Sequence, residues 1–216
     1  MILIIFGAPG SGKGTQTKAL SEHYKIKRIS LGDILREEVK KESFLGREVK
    51  GYMDKGILVS DNIVSQVVED NLDNDGFILD GYPRNIKQAL HLENVLKKFS
   101  KDLDAFVYLE VDKDTAQNRL ELRRICKSCG ANYHLVNLAP KEEGICDMCG
   151  GQLVQRDDDS PQVINERWKI FLQEAKPLLD FYEKRNKLLK VDARGNKNDV
   201  FARLTELINY GKHPKL

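Results

Sequence analysis

Gly7-Ala8-Pro9-Gly10-Ser11-Gly12-Lys13-Gly14-Thr15 sets one lysine and two hydroxyls among closely spaced glycines, the makings of a cradle for phosphate. Glycine tolerates left-handed backbone and close approach, so successive amides can point at one anion, and a helix starting there adds its positive end. Gly10, Ser11, Gly12, Lys13, Gly14 and Thr15 are therefore candidate ligands of a nucleoside triphosphate, with Lys13 bringing a full charge to the β/γ end. The run approximates G-x-x-x-x-G-K-[ST], but Gly14 stands where the magnesium-binding hydroxyl is expected and Thr15 follows one place later. A simple glycine turn is the competing account. Against it, the apolar run Ile2 to Phe6 precedes the loop and a helical pattern to Tyr24 follows, the strand-loop-helix context that the motif needs.

A second constellation is metal-binding in type. Cys126-x-x-Cys129-Gly130 and Cys146-x-x-Cys149-Gly150 are two knuckles with 16 residues between them, and they contain every cysteine of the chain. Four thiolates at this spacing suit a tetrahedral zinc, with iron as the rival. Two disulfides in a secreted protein are the alternative, and nothing else in the chain points to an oxidising compartment.

These residues need a frame. Strands are expected at 1–6, 26–30, 76–80, 105–111 and 187–192 with helical patterns between them, which implies a five-stranded parallel sheet of P-loop NTPase type covered by helices on both faces. Asp80 ends its strand on the edge that carries the glycine loop, where a magnesium ion would sit; a helix cap or turn residue is the other reading. Two segments break the βα rhythm. Residues 30–59 read as helices Asp33 to Lys41 and Gly46 to Lys55, a small cap over one end of the sheet. Residues 122–159 hold the cysteines, with short hairpins expected around 131–136 and 152–155. The core is then 1–29, 60–121 and 160–216. Arg119 and Arg123, four apart, are expected on one helical face. Trp168 and Phe171 read as core.

With 216 residues, 31% of them charged, the chain suits one α/β domain with insertions and is too polar for a membrane protein. The apolar start runs straight into the loop with no basic lead or cleavage site, so a cytoplasmic protein is expected. A net charge of +2 offers no global field for nucleic acid.

Taken together, the glycine loop, Ser30-Leu31-Gly32-Asp33-Ile34-Leu35-Arg36, Asp80-Gly81-Tyr82-Pro83-Arg84 with Gln88, the basic run 119–124, and Arg156-Asp157-Asp158-Asp159 followed by Arg167 resemble the adenylate kinase family over nearly the whole chain. The cysteine segment resembles the long metal-binding lid of some members. The resemblance implies transfer of a phosphoryl group from Mg-ATP to AMP, giving two ADP, by a monomer without nucleic-acid or membrane partners. It implies that Lys13 holds donor phosphates, that Arg36 and Arg84 grip the acceptor phosphate, and that Arg123, Arg156 and Arg167 surround the moving group. It further implies that Arg119 stacks on the donor base, with Tyr133 and His134 beside the ATP site. Asp80 would orient Mg2+ through water, and Asp158 and Asp159 would position arginines. Leu31, Ile57, Val59, Gly81, Arg84 and Gln88 would line the AMP site, with Arg156 and Arg167 reaching its phosphate.

One position departs from the pattern. Leu31 stands where the family usually has threonine, which removes a hydroxyl near the acceptor base, so monophosphate selectivity is expected to be relaxed. A UMP/CMP or broad-specificity kinase is the alternative, followed by a P-loop kinase of another small acceptor. A nucleotide-regulated nucleic-acid binder is disfavoured, because acidic and basic residues are mixed around the cysteines.

Overall fold

The computed structural model describes residues 1–72 and 75–212; the last four residues of the expected core segment 160–216 lie outside them. Strands β1 (Ile2–Gly7), β2 (Lys27–Ser30), β3 (Phe77–Asp80) and β4 (Ala105–Glu110) join one sheet with Leu188–Asp192, and all pairings are parallel. The order across the sheet is β2, β3, β1, β4 and then Leu188–Asp192. β1 is central, and all six of its residues are buried, because helices cover both faces. One face packs Ile2, Ile4, Phe77, Leu79 and Phe106 against Leu92, Leu178 and Tyr182; the other packs Leu3, Ile5, Ile78 and Val107 against Leu20, Leu204 and Ile208.

Every expected core strand is present to within about a residue. The helices are α1 (Lys13–Tyr24), α2 (Leu31–Lys40), α3 (Phe44–Lys55), α4 (Asp61–Asn71), α5 (Ile86–Lys98), α6 (Lys113–Glu121), α7 (Pro161–Glu183) and α8 (Lys197–Lys212). Helix α2 begins two residues before the expected start. Helix α3 also starts early because Ser43 caps it, its side chain accepting from the Gly46 amide at 2.9 Å. None of the described helices is long and apolar enough to cross a membrane.

The expected helical face shared by Arg119 and Arg123 is not formed. Helix α6 ends at Glu121, and Arg123 opens strand β5 (Arg123–Cys126). β5 is the middle of a three-stranded antiparallel sheet with β6 (Asn132–His134) and β7 (Leu153–Val154). Pairing on both sides satisfies its backbone, and that outweighs continuation of the helix. The short strands expected within hairpins are therefore partners of β5. The strand Leu188–Asp192 is β8.

Candidate active site

The glycine loop leaves the C-terminal end of β1 and turns directly into α1, with Gly10 at φ 84° and Gly12 at φ 90°. A Cβ on Gly10 would sit 2.2 Å from the Ala116 carbonyl oxygen, so this position accepts only glycine. Ser11 Oγ is buried with no hydrogen-bond partner among the described residues, a polar group aimed into the loop. Lys13 Nζ donates to the Gly7 and Ala8 carbonyls at 2.6 and 2.9 Å. Burial, with help from Arg84, Arg167 and Arg123, pushes the Lys13 ammonium down to about 7 from 10.5 despite the opposite pull of Asp80.

That depression has a measurable consequence. A polyanion arriving beside Lys13 restores its proton, so ATP binding near pH 8 is expected to take up a fraction of a proton. Titration calorimetry in buffers of different ionisation enthalpy measures it, and the uptake should vanish in Lys13→Met.

Around the loop opens a cleft of about 520 Å³. Gly10, Ser11, Gly12, Lys13, Gly14 and Thr15 line its floor, and Arg119, Arg123, Tyr133 and His134 line it from α6 and the cysteine segment. Arg36, Arg84, Arg156 and Arg167 complete a ring of cations, with Asp80 and Gly81 at the strand edge. A side pocket of about 80 Å³ shares Arg36, Arg84 and Arg167 with the cleft and is lined by Leu31, Ile57, Val59 and Gln88. Two cavities joined at three arginines suit two anionic ligands whose charged ends meet.

Burial first, then repulsion from Arg167 and from Arg123 respectively, push Arg84 down to about 10 and Arg156 down to about 9. Guanidinium groups stay charged at neutral pH, so the depression expresses cations that are first desolvated and then crowded together, a cost that phosphate oxygens relieve. The Nε of Arg156 has no partner among the described residues, although its Nη2 donates to Asn132 Oδ1 at 2.8 Å.

Acidic residues hold the arginines in place. Asp159, with no exposed surface, takes Arg123 bidentately at 2.7 and 2.5 Å. Asp158 accepts from Arg167 at 3.2 Å and lies 3.8 Å from Arg36. Burial opposes ionisation of Asp158, yet Arg167 and the neighbouring arginines hold its carboxyl below the usual range. Asp157, by contrast, is exposed. Asp80 is not a helix cap, since Asn85 caps α5, accepting from the Gln88 amide at 2.9 Å. Asp80 Oδ2 instead accepts from Thr17 Oγ1 at 3.2 Å and from Arg28 Nη2 at 3.2 Å.

Three placements refine the sequence reading. Gln88 is buried, its Oε1 accepting from the Arg84 amide at 2.8 Å and its Nε2 donating to Asp61 at 2.7 Å, which leaves one hydrogen and one lone pair for a base. His134 Nδ1 accepts from the Val136 and Asn137 amides, so the ring proton is on Nε2, which has no partner among the described residues. Arg119 donates to the Ala193 and Gly195 carbonyls at 2.9 and 3.2 Å at the far end of the cleft. Sequence reasoning missed Arg28 and Thr17, and Phe171 lines the cleft while packing on Trp168.

The four cysteine sulfurs are free and lie within 4.8 Å of one another, an arrangement compatible with four ligands sharing one metal ion. Zinc at about 2.3 Å from four thiolates sets the sulfurs roughly 3.8 Å apart. The observed 3.4 and 3.6 Å across Cys126–Cys149 and Cys129–Cys146 are close to that spacing, so the residues fit a tetrahedral ion.

A family model described as adenylate kinase matches residues 5–187. The adenylate kinase of Petrotoga mobilis is 43% identical over 209 residues, covering 96% of this chain and 97% of that one. That of Bacillus licheniformis is 44% identical, covering 96% and 98%, and that of Caldicellulosiruptor saccharolyticus is 49% identical, covering 90% and 92%. With a phosphate loop, a ring of arginines and a second pocket already in place, these matches show that the chain belongs to the adenylate kinase family and is a nucleoside monophosphate kinase.

Proposed function

We propose that this chain catalyses reversible phosphoryl transfer from Mg-ATP to AMP, giving two ADP, with ATP in the main cleft and the monophosphate in the side pocket. The convergence of Arg36, Arg84 and Arg167 where the two cavities meet carries the reading. Transfer between two bound anions needs little covalent help and much positioning and charge neutralisation. Lys13 and the loop amides hold the donor phosphates, Arg36 and Arg84 grip the acceptor phosphate, and Arg123, Arg156 and Arg167 enclose the moving group. Asp158 and Asp159 keep those arginines aimed. His134 Nε2–H and Arg119 face the donor base. Residues 30–59 act as the acceptor-side flap and 122–159 as the lid, and their closure excludes water as a competing acceptor.

Magnesium fits beside Asp80, a carboxylate that is 8% exposed at the loop's strand edge. Bound with ATP, it would supply neutralisation of the donor's phosphate charge. Zinc on Cys126, Cys129, Cys146 and Cys149 would supply structure to the lid and no chemistry. A coupled assay of ADP from ATP plus AMP tests the reaction; no ADP would overturn it.

Selectivity rests on Leu31, which is 4% exposed and places an apolar side chain in the wall of the side pocket. A wall without a hydroxyl cannot penalise a base that lacks the matching group. AMP is expected to be used, with GMP, CMP and UMP discriminated by less than about a thousandfold in kcat/KM, and Leu31→Thr should sharpen the preference. A wild-type preference above that figure would remove Leu31 as the cause.

A further inference from the structure

Arg28 lies on the edge strand β2, where a basic residue is ordinarily a solvated guard, yet its side chain is only 26% exposed and turns inward beneath the start of α1. Its Nε donates to Thr17 Oγ1 at 3.0 Å. Its Nη2 donates to Asp33 Oδ2 at 2.7 Å and to Asp80 Oδ2 at 3.2 Å. A Cβ built on Gly14 would meet Asp80 Oδ2 at 3.6 Å and Arg28 Nη2 at 3.7 Å, so this junction lies directly against the phosphate loop. Asp33 also pairs with Arg36 at 2.5 Å, but among the described residues Arg28 is the group bonded to both carboxylates.

Two carboxylates drawn onto one nitrogen repel each other unless a cation stands between them, and a divalent ion would compete for that position. We propose that Arg28 is a positioning residue that occupies the Asp33–Asp80 junction as a built-in cation and so makes entry of the divalent metal conditional on the nucleotide. The inference rests on placing magnesium beside Asp80. In the free protein, Arg28 satisfies both carboxylates and repels a second cation. ATP phosphates add the negative charge that makes a metal favourable there, so the ion arrives with the nucleotide rather than before it. Thr17, which accepts from Arg28 and donates to Asp80, keeps the bridge in register with α1.

The test is Mn2+ binding to the zinc-loaded full-length protein, read from the signal of the free aqua ion in electron paramagnetic resonance. Without nucleotide, Arg28→Gln should bind one Mn2+ at least about tenfold more tightly than wild type, since a unit charge a few ångströms from a divalent ion is worth that much even in water-like surroundings. The gain should disappear in the double variant Arg28→Gln/Asp80→Asn, and Arg28→Lys, which keeps the charge, should behave like wild type. Equal affinity in wild type and Arg28→Gln, or as large a gain in Arg28→Lys, overturns the proposal. Arg28→Met keeps the stem and repeats the measurement should the glutamine variant fail to fold. A separate arm with ATP compares wild type with Asp80→Asn: altered Mn2+ binding supports the metal's place beside Asp80, and identical binding removes that placement, whatever the nucleotide-free arm shows.

Discussion

Lys13→Met is expected to lower turnover by at least about a hundredfold while leaving Tm level or higher. The loss follows from the role proposed for Lys13, a donor aimed at charge that develops during transfer, worth on the order of 3 kcal/mol. The stability effect has the opposite sign because the folded protein holds this ammonium at about 7, against 10.5 as its ordinary value. Between those values the unfolded chain binds the proton and the folded chain releases it, so this group's contribution to stability rises with pH across that window. Below pH 7 the folded state must carry the buried charge, and the penalty is fully present. Methionine has no such charge, so its Tm advantage over wild type should be largest near pH 6 and shrink toward pH 10. Calorimetric scans at both ends, with turnover from the coupled assay, check the pair. Turnover within tenfold of wild type, or a Tm several degrees lower at pH 6, would remove Lys13 from the assigned role.

This trade between stability and chemistry recurs around the cleft. Arg84, Arg156 and Arg167 are each half-buried with other arginines close by, an arrangement that is unfavourable in isolation and reasonable when a polyanion is the intended occupant. The carboxylates partly compensate. Asp159 neutralises Arg123 from below and Asp158 steadies Arg167 and Arg36, so each arginine keeps its orientation while its free edge faces the cleft. A positively charged but pre-aimed site is what transition-state stabilisation requires, since nothing has to reorganise when the charge moves.

Much of this was legible before any coordinates. The apolar run, the glycine loop and the helical pattern after it are local signals, and β1 and α1 follow from them with little tertiary input. The cysteine spacing was equally local. What sequence patterning could not supply was the partner of each charged side chain. Arg28 reads as a solvated edge residue, and only the β2–β3 register, which sets Ser30 beside Asp80, brings its strand next to the site. Arg123 illustrates the other failure. Four-residue spacing from Arg119 suited a helix, but pairing with β6 and β7 claims the chain after Glu121. Both arginines still line the cleft, from different elements. Gln88 was expected to line the AMP site, and the fold commits half of its hydrogen-bonding capacity to Arg84 and Asp61.

Stripping the metal from the lid, or replacing Cys126 with serine, is expected to cost both stability and turnover. The segment's own buried cluster is only Cys126, Tyr133, Cys146 and Leu153, with Ala131 packed against it. So small an apolar core cannot offset the entropy of ordering nearly forty residues, and a structural ion has to supply the difference. The knuckles are built for one: Gly130 and Gly150 turn with φ near 70°, their amides donating to the Cys126 and Cys146 carbonyls at 3.0 and 2.8 Å. Cys126 and Cys146 are each 1% exposed, so a vacant tetrad would leave two thiolates or thiols buried against each other. Loss of several kcal/mol of linked binding energy should lower the first thermal transition by about 10 °C or more. Turnover should fall by at least about a hundredfold, because Arg123 on β5 and Arg156 beyond β7 both depend on this sheet for their aim, and each is a donor of the kind whose removal costs that much. Adding Zn2+ back to stripped wild type should restore both quantities, and adding it to Cys126→Ser should restore neither. Stripped protein that keeps its Tm within a degree or two and its full turnover would show that the tetrad is dispensable to the lid.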